Sequence, residues 1–261
     1  MGVVTLTSDW NRHDHYLGAI KGYILSRCPG TTIVDITHQV HTFNIAEAAF
    51  IVKNSYNNFP EGTVHIIGVK SEPGEENPFV VVGNDGHWFI GTDNGLFGLI
   101  FEERPDRIVR INSAESGSFP ELNIFSEAAC HILNGGDVTD LGEEKEKLFR
   151  QVPLMPTIEE SVINGSIIYI DSYNNAITNI GRELFEQVGK NRVYDIFIHS
   201  NHYKINRINK KYQETESGEI LALFNSLDLL EIAMKDGNAA EMLGLDTKST
   251  IRIKFYDNKD S

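Results

Sequence analysis

Apolar positions in the first half of the chain come as short β-branched runs separated by amphipathic stretches, a spacing that predicts strands and helices in alternation. Val3 to Thr7 reads as a buried strand, and Asp14 can then cap a helix running toward Cys28, where Pro29 and Gly30 stop it. Thr32 to Ile36 is a second strand. Asn44, with Glu47 three residues on, forms a capping-box-like start for a helix over 45–56, and a third strand, Thr63 to Val69, follows Pro60 and Gly62. Two strand-helix steps before a third strand predict a largely parallel sheet with covering helices, which takes ligands beyond the carboxyl ends of its strands. The segments to watch are therefore 7–14, 36–43 and 69–77. Further strands are predicted at 79–83, 87–91 and 107–112, with a helix from about Asn123 to Leu133.

Between Gly142 and Glu160 the periodicity breaks. A charge run at 143–147, then Pro153 and Pro156, predicts a linker. It divides the chain into an N-terminal α/β domain, 1–155, and a C-terminal domain, 156–261. Beyond the linker the strand-like runs are 166–171, 192–198, 219–224 and 250–256, with only short helix candidates at 181–187 and 238–243. The C-terminal domain should be mainly β and barrel-like.

A chain of 261 residues can bury the cores of two such domains without disulfides or metals. Charge narrows the partners: 23 Lys and Arg against 37 Asp and Glu give a formal net charge of −14, which repels phosphate backbones and anionic lipid surfaces. Nucleic acid and membrane partners are not expected. Cys28 and Cys130 are the two cysteines and form no C-x-x-C pair, as in a reducing compartment. The start lacks the basic and apolar segments of a secretory signal, and nowhere do roughly 18 apolar residues run together. A cytoplasmic protein is expected.

The dinucleotide, P-loop, α/β-hydrolase and zincin signatures do not occur. Paired imidazoles at His13 and His15, His38 and His41, and His199 and His202 invite a metal reading, but no third ligand stands at an expected interval, so no metal is assigned. Asp9 falls where an open sheet binds ligands, and a carboxylate is a natural bidentate acceptor for a ribose diol. Helix capping alone would account for Asp14, and loop fixing for Asp9. Asp171 and Asn175 flank a turn that leads into Ile177–Ile180, read as a cluster of turn residues. An Asn amide there could read a purine edge, although turn formation alone would explain the composition.

Together, residues 5–22, 28–40, 59–69, 92–97, 170–180 and 230–245 resemble the S-adenosyl-L-methionine hydroxide adenosyltransferase family, relatives of the bacterial fluorinase and chlorinase. The resemblance implies an N-terminal α/β domain, a C-terminal β-barrel domain, and a homotrimer with ligand sites between neighbouring subunits. It implies a small adenosyl ligand, with S-adenosylmethionine as substrate and no further cofactor. Asp9 would hold the ribose hydroxyls, Asp14 and Asp171 would face the methionine end, and Asn175 would read adenine. Phe43 stands where fluorinase has a Trp beside the sugar, and Ser226 where a Ser contacts the methionine carboxylate. Family chemistry is displacement at the ribose 5′ carbon, with neutral methionine leaving from the sulfonium.

The hydroxide-using members activate water with an Asp, an Arg and a His, and here the sequence departs from them. The family's V-D-P-G-V-G segment corresponds to Val69–Gly74, so the Asp position is Lys70, and no arginine occurs between Arg27 and Arg104. The family's F-H-G-R-D-I-F corresponds to Phe119–Phe125, so the His position is Pro120. Glu121 follows it, and its charge would oppose a bound halide. Three functions stay open: a hydrolase forming adenosine and L-methionine with Glu72 or Glu121 as substitute base; a degenerate protein that binds S-adenosylmethionine or adenosine; and a structural trimer holding another small ligand. Family membership favours the first, and the lost triad the second.

Overall fold

A computed structural model describes residues 2–112, 117–199 and 203–257. The chain divides into two compact units, Met1–Val152 and Pro153–Ser261.

The N-terminal unit follows the expected alternation: β1 (Val3–Ser8), α1 (His15–Arg27), β2 (Thr32–Thr37), α2 (Ile45–Lys53), β3 (Val64–Gly68), β4 (Phe79–Asn84), β5 (His87–Thr92), α3 (Leu96–Ile100), β6 (Arg107–Ile111), α4 (Ser126–Leu133) and β7 (Gly142–Glu144). Its seven strands lie in the order β2-β1-β3-β5-β4-β6-β7. Pairing is parallel from β2 through β5 and antiparallel from there on. The β4–β5 hairpin turns through Asp85 and Gly86, both at positive φ (50° and 75°), the backbone that a two-residue turn with the strands' own twist requires.

Both faces of this sheet are covered. On one, Ile20 and Ile24 of α1 and Phe125, Ala128 and Ala129 around the start of α4 pack on Val4, Leu6 and Ile66. On the other, Ala48, Ala49 and Val52 of α2 and Leu96 and Phe97 of α3 pack on Ile67, Val80 and Phe89. Cys28 and Cys130, distant in sequence, meet in the first of these layers as buried free thiols, and burial together with Cys28 pushes the Cys130 thiol up to about 12. A second buried polar chain crosses the sheet, from Thr5 Oγ1 to His65 Nδ1 at 2.7 Å and from His65 Nε2 to His87 Nδ1 at 3.2 Å.

The C-terminal unit holds β8 (Thr157–Glu159), β9 (Val162–Ile170), β10 (Ala176–Gly181), α5 (Arg182–Gly189), β11 (Val193–Ile198), β12 (Tyr203–Ile205), β13 (Ile208–Asn209), β14 (Ile220–Phe224), β15 (Leu229–Met234), α6 (Ala239–Leu243) and β16 (Thr250–Tyr256). The strands form one nearly closed, barrel-like sheet in the order β12-β11-β16-β9-β10-β15-β14-β13, with β8 added on β9. Alternate residues such as Ile163, Ile167, Ile196, Ile232 and Ile253 fill its core.

Two expectations need correcting. Ile177–Ile180 are strand, not turn: they belong to β10, where Asn179 Oδ1 accepts the Ser166 N–H at 2.8 Å and its amide donates to the Leu154 carbonyl at 2.7 Å. The stretch 142–160 is not free of secondary structure, because β7 pairs with β6 and β8 with β9. Among the described residues no helix is long and apolar enough to cross a membrane.

Candidate functional site

The sheet order reverses at β1, which has β2 on one side and β3 on the other, so the crevice for a ligand opens where Ser8 pairs with Gly68. Asp9 stands there, half-buried, with its N–H 3.4 Å from the Gly68 carbonyl oxygen. Its Oδ2 accepts the Phe43 N–H at 2.8 Å. That bond fixes one carboxylate oxygen and leaves the other to a ligand. Phe43 itself is 64% exposed at φ 63°, outside the region a β-carbon prefers. Trp10 packs on β3 because position 68 is glycine: a β-carbon there would collide with the indole. Phe119 meets the same indole edge-on at 5.2 Å, and Tyr16 in turn meets the Phe119 ring at 4.9 Å. An aromatic wall thus stands over the strand ends.

Pro120 is buried and leads into a turn of π-helix, Glu121–Phe125, a local widening that often marks functional positions. It turns Glu121 inward, 4% exposed. Burial raises the Glu121 carboxyl above its ordinary range, the charge of Asp9 adds to the rise, and the nearby Ser71 hydroxyl opposes it. Ser71 Oγ is near without hydrogen-bond alignment, and is a buried polar atom with no hydrogen-bond partner among the described residues. Glu72 and Lys70 are exposed, Lys70 at φ 50°. The two candidate bases therefore differ sharply in environment.

The loop bearing Lys70 and Ser71 is held by the turn after β5. Thr92 Oγ1 donates to the Ser71 carbonyl at 3.0 Å, and the Asn94 amide donates to the carbonyls of Lys70 and Val69 at 2.9 and 3.3 Å. Between them Asp93 is fully buried, paired with Lys145 and accepting the Phe149 N–H at 2.9 Å. The segment 145–149 is thereby strapped over this turn. Asp14 is exposed at the N-cap position of α1, but its side chain caps no N–H, so capping does not occupy it.

In the C-terminal unit Asp171 closes the turn before β10. Its Oδ1 accepts the N–H groups of Tyr173 and Asn175 at 2.9 and 2.8 Å, and its Oδ2 accepts the Asn175 amide at 3.0 Å. The carboxylate keeps capacity for one more donor, and Asn175 is buried beside it. Tyr173 beside them is 76% exposed. Ser226 lines a cleft of about 510 Å³ with Ile177, Tyr212, Leu227 and Glu231. Glu231 is buried, accepts the Tyr212 hydroxyl at 2.7 Å and the Asn225 amide at 3.2 Å, and is raised by burial and by the charge of Asp171.

Residues that spacing did not reveal complete both places: Ser8, Trp10, Asp35, His38 and Ser71 in the first, Tyr212 and Glu231 in the second. His38 is buried and His41 is 85% exposed; His202 lies outside the described residues; and among those described no three metal-ligating groups cluster.

The sequence matches the SAM hydroxide adenosyltransferase N-terminal domain over residues 4–142 and the C-terminal domain over residues 165–252. A protein named (R)-S-adenosyl-L-methionine hydrolase from Methanocaldococcus jannaschii is 29% identical over 272 residues, spanning 98% of this chain and 97% of the relative. A fluorinase from Nocardia brasiliensis is 37% identical over 223 residues, spanning 72% and 74%. The crystal structure of an uncharacterized conserved protein from Thermotoga maritima superposes with a TM-score of 0.86 at 25% identity, over 97% of this chain and 99% of that one.

Proposed function

Because this chain belongs to the S-adenosyl-L-methionine hydroxide adenosyltransferase family, we propose that it hydrolyses S-adenosyl-L-methionine to adenosine and L-methionine. The observation that carries the proposal is Asp9, held by the Phe43 N–H at the point where the strand order reverses and within electrostatic reach of the buried Glu121. In this reading Asp9 takes the ribose diol, Phe43 lies beside the sugar, and Asp14 meets the methionine end. In the C-terminal unit Asn175 reads adenine, while Asp171 and Ser226 serve methionine.

Glu121, not the exposed Glu72, is the water-activating base. A buried carboxylate has its pKa moved toward the operating range, and Glu121 is buried beside the charge of Asp9. The oxygen of water bonds to the 5′ carbon as the carbon–sulfur bond breaks. Sulfur keeps the electron pair and leaves as neutral methionine, and the proton passes to Glu121 and then to solvent. Neutralising a sulfonium drives departure, so the reaction calls for no cofactor or metal, and orientation with partial desolvation supplies the rest. Losing a positioned acid-base set commonly costs about 10²- to 10⁴-fold, so turnover with Lys70 and Pro120 at the family positions is slow.

Phe43 and Tyr173 are exposed aromatics, which fits an assembly of several copies, and we propose the family's trimer, working in the cytoplasm. The test is incubation with S-adenosylmethionine in water enriched in oxygen-18. Adenosine labelled at the 5′ hydroxyl, formed by wild type and not by Glu121→Gln, is the expected result. A thermal shift with S-adenosylmethionine, lost in Asp9→Ala, without any adenosine, would leave a binding protein in place of an enzyme. No shift and no product would overturn the adenosyl reading.

A further inference from the structure

Asp9 is thinly held by its own backbone, since the N–H reaches Gly68 only at 3.4 Å, and Asn11, two residues on, sits at φ 66°. A loop in such a conformation persists only when its surroundings fix it. Beside the packing of Trp10 on Gly68 and Phe119, three contacts of this loop fall on a single residue, His38. Ser8, before Asp9, places Oγ 2.6 Å from His38 Nδ1. Trp10, after it, stacks on the imidazole with ring centroids 6.2 Å apart at 19°. Asn11 donates its N–H to the His38 carbonyl at 3.0 Å.

Asp35 stands behind the imidazole. Its Nε2 lies 3.2 Å from Asp35 Oδ1, without hydrogen-bond alignment, and Asp35 Oδ2 is bound by Lys21 at 2.6 Å. Burial holds His38 below its ordinary range, and Nδ1 and the Ser8 hydroxyl share one hydrogen bond whose direction follows the tautomer of the ring. Ser8, His38 and Asp35 are the residue types of a hydrolytic triad, but the Ser8 hydroxyl is shut from solvent and no substrate atom can reach it. The chain holds a loop; it does not attack.

We infer that His38 is the positioning residue for Asp9, gripping the residues on both sides of it so that the carboxylate stays on the Phe43 N–H with one oxygen presented to the ligand. The inference rests on the reading of Asp9 as the ribose-binding group. Its structural half can be tested without a ligand. The Phe43 amide reports whether Asp9 is in place, and Asp9→Ala supplies its resonance when the acceptor is gone.

The experiment records that amide in wild type, His38→Leu and His38→Asn, and titrates each with adenosine. In His38→Leu the amide should move most of the way to its Asp9→Ala position, and adenosine should bind about tenfold more weakly or worse. His38→Asn, whose side-chain oxygen stands near the place of Nδ1 and can accept from Ser8, should recover part of both. In an Asp9→Ala background His38→Leu should cost no further affinity. An unmoved Phe43 amide in both variants, or an affinity loss undiminished in the Asp9→Ala background, would overturn the inference. Should His38→Leu not fold, His38→Asn carries the same amide comparison. Wild type that fails to bind adenosine would refute the adenosyl reading alone, with the amide shift still deciding the role of His38.

Discussion

Glu121 is a carboxyl group kept where water alone would not put it, and such a group usually trades stability for function. Burial raises its pKa, so the deprotonated form that accepts a proton is disfavoured and the fold is relieved when pH falls. The sign follows: the stability linked to Glu121 is present at low pH and lost as pH rises through the folded pKa, while the proposed activity runs the other way. Glu121→Gln should therefore abolish hydrolysis and raise the melting temperature at pH 8 by a few degrees, about 2–4 °C per kcal/mol for units of this size. A variant less stable than wild type at pH 8 would mean that the charge is welcome where it sits. The place of Asp9 just beyond the end of β1 was legible in the sequence because the apolar run stops there. Glu121 could not be told from Glu72, since a π-turn, invisible in composition, turned one inward. His38 was hidden because its partners lie 30 residues back and on a neighbouring strand, while its spacing to His41 suggested a metal.

Elements carried by apolar periodicity, such as β1 to β6, could be read from the sequence. Elements that exist through pairing with neighbouring strands could not: β10 looked like a turn because of Thr178 and Asn179, yet it pairs with β9 and β15, and Asn179 bonds the Ser166 N–H of β9 and the Leu154 carbonyl. Likewise β7 is Gly-Glu-Glu, without an apolar position, and exists because β6 offers a free edge. The strap over the turn after β5 depends on a buried charge, and its strength can be measured. Lys145→Met leaves Asp93 buried beside one N–H and no cation, which should cost on the order of 3 kcal/mol in urea unfolding. Adding Asp93→Asn should restore most of it. A single substitution costing under about 1 kcal/mol would show that Asp93 draws its stabilisation from the backbone instead.

At the scale of the molecule, the N-terminal unit carries an acid sensitivity laid down by burial. His65 lies within the sheet, its pKa lowered from 6.5 to about 3 by burial first and by His87 second. The unfolded chain binds that proton readily and the folded one does not, so stability is full above 6.5 and falls by about 1.4 kcal/mol per unit down to the folded pKa. Between pH 7 and pH 5 urea unfolding should show a loss of about 2 kcal/mol from this group, and His65→Gln should flatten the slope. An unchanged slope in that variant would place the acid sensitivity elsewhere, with His38 and His87, both also lowered by burial, next in line. The two cysteines give the same unit a clock. Cys28 ends the first helix and Cys130 lies in α4, and with the Cys130 thiol held near 12 it offers almost no thiolate to any reagent while that layer is closed. Each labelling event must wait for the helices to part, so a thiol-reactive dye counts how often this face of the sheet breathes.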